Sequence, residues 1–255
     1  MTENPFSTPE VQHLEPAPGN NPFRWLKILG VGSVLLVLAA VLLPAVTRGP
    51  AVRGTAQRVQ CKNNLRQIRL ALESYHDEYH ALPPAYTTDS NGQKLHSWRT
   101  LVLPFMEHEA LYKQIDLSKP WNDPVNSALS SKMPEVYRCP SGNLPDGDTT
   151  YLGAVGEDFC FHPTKSRSFD EFSDGLSNTL MVFEVAANNA VPWMSPQDAD
   201  LESIMRLNSD EPLPHQNGFL GIMGDSTIRY FPADLPPETR KALLTISGSE
   251  SISEF

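Results

Sequence analysis

The feature that most constrains this chain is residues 23–80, where an apolar run passes almost directly into an amphipathic one. The apolar part is FRWLKILGVGSVLLVLAAVLLPAV, residues 23–46. The 19 positions from Ile28 to Val46 carry no charge. That is about enough to cross a hydrocarbon core of roughly 30 Å at a rise of ~1.5 Å per residue. The pattern then changes. Cys61, Leu65, Ile68, Leu72, Tyr75 and Tyr79 recur at steps of three and four, laying one apolar stripe along a helix. Lys62, Asn63, Arg66, Arg69 and Glu73 fall on the other faces. The spacing predicts a transmembrane helix over 23–46 and an amphipathic helix over 55–81. The second helix ends before Pro83-Pro84, since a residue preceding proline is driven out of the α region.

Around this spine the chain divides into a polar, proline-rich tail at 1–22, a head at 51–247 and a short polar end at 248–255, both ends read as disordered. Twenty-three prolines and 15 glycines predict a loop-rich head with short elements. Strand character is concentrated late: 150–155, then 179–185, then a hairpin of 219–223 with 227–231 around Gly224-Asp225-Ser226. Glycine at the first central position suits a type II′ turn. Helix is expected over 98–112, with Pro104 as a break, and over 237–245. The fold class is α+β: a long N-terminal helix, half transmembrane and half amphipathic, packed on a small antiparallel sheet.

Charge sets the expected partners. The net charge is −10, yet Arg48, Arg53, Arg58, Lys62, Arg66 and Arg69 follow one another with no acid between them. Such a collar suits anionic lipid, while the acidic remainder argues against nucleic acid. Basic residues at the two ends of the apolar run, Arg24 and Lys27 before it and Arg48 to Arg66 after it, place the head in the cytoplasm by the positive-inside rule.

Several segments, taken in order, resemble a large bacterial family of uncharacterised prepilin-like proteins. They include CKNNLRQIRLALESYHDEY at 61–79, LPPAY at 82–86, SWRTLVLPFMEHEALY at 97–112, YRCPSG at 137–142 and FSDGLSNTLMVFE at 172–184. The family's late motif is a histidine, nine residues, then Asp-Gly. Here it runs from His215 to Asp225, with Ser226 in place of the glycine. The resemblance implies a pseudopilin-like head, a type II secretion or pilus-like setting and no established activity. The usual prepilin-peptidase glycine and early glutamate are missing, so the chain is expected to stay anchored and unpolymerised. The cysteines and this resemblance favour an exported head on a single-pass inner-membrane anchor, and that placement is adopted over the charge count.

Cys61, Cys139 and Cys160 have no short zinc-type spacing. In an exported head a Cys61–Cys139 disulfide would staple the sheet to the helix; the alternative is three buried thiols. Asp174, Asn178, Glu184 and Asp225 have the oxygen density of a calcium loop without EF-hand spacing, and calcium is the one cofactor they suggest; turn formation is the plainer reading. Glu184, inside an apolar strand, pairs with Arg229 or His215 or else faces water at an edge. His215 with Ser141 or Ser177 has no nucleophile elbow around it, and His76/His80 lacks the glutamate of a metalloprotease helix. Trp98, Trp121 and Trp193 are core anchors or a sugar groove. No catalytic residue is assigned. The expected function is structural or interactive, in envelope assembly or secretion alongside other envelope or pseudopilin-like proteins. The alternative is an exported module that binds calcium or a glycan.

Overall fold

A computed structural model describes residues 30–33, 36–38, 40, 49–142, 144–207, 213–215 and 217–248. By contacts the chain separates into two units, 1–51 and 52–255. In the first, the described residues at 30–40 are helical. The second holds the whole folded head.

Helix α1 spans Gly49–Tyr79. Its buried positions are Cys61, Asn64, Leu65, Ile68, Ala71 and Leu72, the expected stripe with Asn64 and Ala71 added. Tyr79 departs from it, being 58% exposed. The helix stops there because His80 adopts a left-handed φ of 56°, and Leu82 then bridges to Arg167.

Among the described residues three antiparallel sheets follow. The first pairs β1 (Tyr86–Thr88) with β2 (Lys94–Ser97). The second pairs β3 (Asp148–Thr149) with β6 (Val191–Pro192). The main sheet has the order β4-β5-β7-β8, from β4 (Tyr151–Gly153), β5 (Leu180–Glu184), β7 (Gly218–Met223) and β8 (Ile228–Pro232). The stretch expected as a helix over 98–112 is divided into α2 (Trp98–Leu101), a 3-10 turn at Leu103–Met106 and α3 (Glu109–Tyr112), and the short helix α4 (Pro124–Ser127) comes next. Pro104 sits in the middle piece, where its missing N–H and fixed φ forbid a continuous helix.

Every residue of β5 and β7 is buried, because the main sheet is covered on both faces. Leu220 and Ile222 join the cluster that contains Cys61, Leu65, Ile68 and Leu72 of α1. Phe219, Phe183 and Phe231 belong to a second cluster with Ile204 and Leu243, which come from α5 (Leu201–Met205) and the end of α6 (Pro237–Ala242). Strand alternation explains the division.

Two expectations are corrected here. The architecture is not one long helix on a small sheet. Among the described residues it is the helix α1, three antiparallel sheets and two apolar clusters on opposite faces of the main sheet. The apolar surface is spread over many short, proline-punctuated elements, and a single helix stripe could cover only one sheet face. The second correction concerns the membrane. Among the described residues no helix is long and apolar enough to cross one, so the single-pass inner-membrane placement, and the exported head that depended on it, are not carried forward. α1 itself carries Arg58, Lys62, Arg66, Arg69, Glu73, Asp77 and Glu78 outside its buried stripe. Most of the expected span at 23–46 lies outside the described residues, as do the 1–22 tail and residues 249–255 of the expected disordered end.

The β7–β8 turn also differs from a type II′ turn. Ser226, not Gly224, has the left-handed φ, 67°. Gly224 is required by packing instead: a Cβ there would lie 2.8 Å from the Leu176 carbonyl oxygen.

Candidate thiol site between helix and sheet

The register of the main sheet builds the site. A bulge in β5 between Leu180 and Val182 puts Met181 and Val182 on the α1 face together. Alternation then returns Phe183 to the far face and Glu184 to the α1 face. Its strand neighbour is Tyr151, and the backbone N–H of Leu220 on β7 donates to Glu184 Oε2 at 2.8 Å. A carboxylate is thus held, fully buried, under the helix.

The second wall is the 138–141 segment, strapped to α1 by three side chains. Gln57 Nε2 donates to the Pro140 carbonyl at 2.7 Å, and Asn64 Nδ2 to the Arg138 carbonyl at 2.8 Å. Between them Cys61 Sγ meets Cys139 Sγ at 3.0 Å. Both thiols are free in this structure and buried. Cys139 Sγ lies 3.6 Å from Glu184 Oε1. His215 closes the cluster: its Nε2 is 3.0 Å from Glu184 Oε2, and its Nδ1 is 3.4 Å from Ser141 Oγ. Ser141 Oγ is in turn 3.6 Å from Cys61 Sγ.

The contact pushes the two thiols in opposite directions. The Cys139 S–H, donating to Cys61, pulls the Cys61 thiol down to about 4 against the opposing effect of burial. Cys139 is pushed well above the ordinary thiol range by that same bond and by burial. Burial opposes the charge on His215, but its hydrogen bonds with Cys61 and Glu184 outweigh it and raise the imidazole to about 9. Burial raises Glu184, opposed by His215 and by the Leu220 N–H. A thiolate beside an imidazolium is the form competent for thiol chemistry. On the far side, Cys139 and Ser141 line a cavity of about 230 Å³ with Thr150, Val185 and Pro214.

Ser141, His215 and Glu184 have the order of nucleophile, base and orienting acid. Ser141 meets Nδ1 at a long 3.4 Å, and the neighbouring Gly142 N–H is spent on the Cys139 carbonyl rather than aimed at a developing oxyanion.

The residues singled out in the sequence fall in different places. Cys61 and Cys139 are brought into contact, and His215 joins them through Glu184. The four expected calcium ligands are not brought together. Asp174 accepts from the Gly248 N–H, and Asn178 Nδ2 donates to the Asp174 carbonyl. Asp225 accepts from the N–H and hydroxyl of Thr227, closing its own turn. Glu184 lies four residues along β5 from Leu180, about 13 Å at ~3.3 Å per residue. Of its two suggested partners it takes His215; Arg229 approaches Asp225 instead. His76 stacks on Phe169, while His80 lies beyond the helix end. Trp98 and Trp193 are fully buried, each donating its indole N–H, to Asp198 and to the Ser130 carbonyl. Cys160 is buried apart from the other two thiols.

Sequence reasoning missed Asn64 and Tyr151. Asn64 stands three residues after Cys61 on the buried side of the helix, and a polar residue there needs partners inside. It also missed Arg99, fully buried and paired with Asp198 at 2.6 Å.

A family model described as "Protein of unknown function (DUF1559)" matches residues 50–155. That span holds α1, Cys61, Cys139 and β4, but neither Glu184 nor the His215–Asp225 motif. No curated protein matches the chain, and no solved structure does; nothing in these comparisons supports the pseudopilin-like architecture. Over residues 50–155, then, the chain is similar to a family whose own description assigns no function.

Proposed function

We propose that this chain is a structural and interaction protein rather than an enzyme, in which Cys61 and Cys139 act as a covalent staple holding α1 against the sheet. The observation that carries this reading is the 3.0 Å approach of two buried sulfurs at the junction of helix and sheet. Closing the bond removes two protons and two electrons from the thiols; a small disulfide such as oxidised glutathione accepts them and leaves as two thiols. The polar groups around the pair support the reading. Asn64, Gln57 and Glu184 fix both strands of the junction, so the sulfurs meet without rearranging the fold. The head then presents a preassembled surface to other proteins, and its acidic charge disfavours nucleic acid.

The test is peptide mapping of the full chain after treatment with oxidised glutathione. A Cys61–Cys139 linked peptide with Cys160 still alkylatable is expected. Three alkylatable thiols after oxidation would refute the staple.

A second reading, a ligand-binding module, draws on a separate open groove of about 550 Å³ lined by Tyr86, Lys94, Gln197, Asp200 and Arg206. That volume is in the range of small-ligand sites. A rise in melting temperature with soluble oligosaccharides, lost on Asp200→Ala, would favour it.

A further inference from the structure

We infer that the reduced pair, together with Glu184, forms a binding site for one thiophilic divalent metal ion of the zinc class, so that the staple and the metal are alternative states of the same sulfurs. The inference rests on the pairing of Cys61 with Cys139 that also carries the staple. Among the described residues Cys61, Cys139 and Glu184 are the group of three metal-binding side chains whose ligand atoms all lie within 4.8 Å of one another, and all three are buried.

The geometry fits zinc in detail. With Zn–S near 2.3 Å and Zn–O near 2.1 Å, tetrahedral ligands stand about 3.6 Å apart for a sulfur–oxygen pair and about 3.8 Å for two sulfurs. Cys139 Sγ and Glu184 Oε1 are already 3.6 Å apart. The sulfurs, at 3.0 Å, need to part by roughly 0.8 Å, a small side-chain rotation. The carboxylate is aimed. The Leu220 N–H holds Oε2, and His215 Nε2 sits across both oxygens, closer to Oε2 at 3.0 Å than to Oε1 at 3.3 Å, so that Oε1 is the oxygen turned toward Cys139; outer hydrogen bonds of this kind fix ligands at metal sites. The cavity against Cys139 and Ser141 supplies an entry path and room for a fourth ligand. Two sulfurs in three ligands select zinc, cobalt or cadmium over calcium or magnesium. Glu184 is thus the one member of the acidic set suggested by the sequence that enters a metal site, and a site of different chemistry. Binding takes both sulfurs as thiolates, and the Cys139 S–H proton leaves to solvent. In the disulfide state neither sulfur is a thiolate, and the site is lost.

The test is titration of the full, reduced chain with Co²⁺, followed by thiolate-to-cobalt charge-transfer absorption and checked by competition with Zn²⁺. One ion per chain is expected, with no signal in the oxidised chain, none in Cys61→Ser, and binding weakened about 10–100-fold in Glu184→Gln. The near-isosteric Glu184→Gln guards against a cysteine variant that fails to fold. Three titratable thiols with no absorption in excess Co²⁺ overturn the inference, and so does full binding by Cys61→Ser. Disulfide formation without metal uptake removes this inference and leaves the staple. Metal uptake by a chain that cannot be oxidised does the reverse.

Discussion

Reducing the Cys61–Cys139 bond in the oxidised chain should lower its unfolding free energy by about 4.5 kcal/mol. The magnitude follows from the loop. The cysteines are 78 residues apart, and the chain-entropy relation, −2.1 − 1.5R ln n, gives roughly 15 cal/mol/K, or about 4.5 kcal/mol at 25 °C. For a folded unit of this size each kcal/mol moves the melting temperature by about 2–4 °C, so reduction should lower it by roughly 9–18 °C. The assay is urea unfolding of oxidised and reduced chain, with thiols counted by alkylation under denaturing conditions. The oxidised chain should also show a smaller denaturant slope, because a cross-linked unfolded state exposes less surface. The double variant Cys61→Ser/Cys139→Ser should behave as the reduced chain in both oxidising and reducing buffer. If the thiol count falls from three to one while the urea midpoint stays fixed, the loop-entropy reasoning is wrong.

Three further outcomes follow from the packing. Asp198→Asn leaves Arg99, fully buried and otherwise bonded only to carbonyls, without its counter-charge; a loss of about 3–5 kcal/mol is expected by urea unfolding, and a loss below 1 would contradict the pairing. Leu65→Ala should cost about 2–5 kcal/mol and Leu70→Ala, half exposed on the opposite face of α1, less than about 0.5; equal costs would mean the helix buries a different stripe. His96 is fully buried, and burial, opposed by the nearby Lys119 and Asp116 carbonyls, lowers it from its ordinary 6.5. The unfolded chain therefore binds the extra proton first. The resulting stability is full above 6.5 and is lost as pH falls below it, a decline that His96→Phe should flatten in pH-dependent melting.

The local signals in the sequence were strong wherever the physics is local. The three-four spacing from Cys61 to Leu72 gave the buried face of α1. The β-branched and aromatic run at 179–185 and the paired runs around Asp225 gave three of the main strands, because alternation and turn chemistry act over a few residues. The same spacing could not report that Tyr79 leaves the core, since that depends on a left-handed His80. Nor could it show a helix covering one sheet face while α5 and α6 cover the other. The apolar run at 23–46 was read by composition alone, and composition does not state what surrounds a segment.

The candidate site shows the same division. By itself the sequence determined the residue types: two cysteines on opposite elements, a carboxylate in an apolar strand, a late histidine. Only the tertiary structure decided that they meet. The bulge in β5 turns Glu184 toward α1, the Gln57 and Asn64 straps bring Cys139 to Cys61, β7 delivers the Leu220 N–H, and the turn bridging His215 to Gly218 delivers His215. Each of these depends on register between segments more than 70 residues apart in several cases. No local rule fixes that register; it is set by which pairing buries the most apolar surface while leaving most buried polar groups a partner.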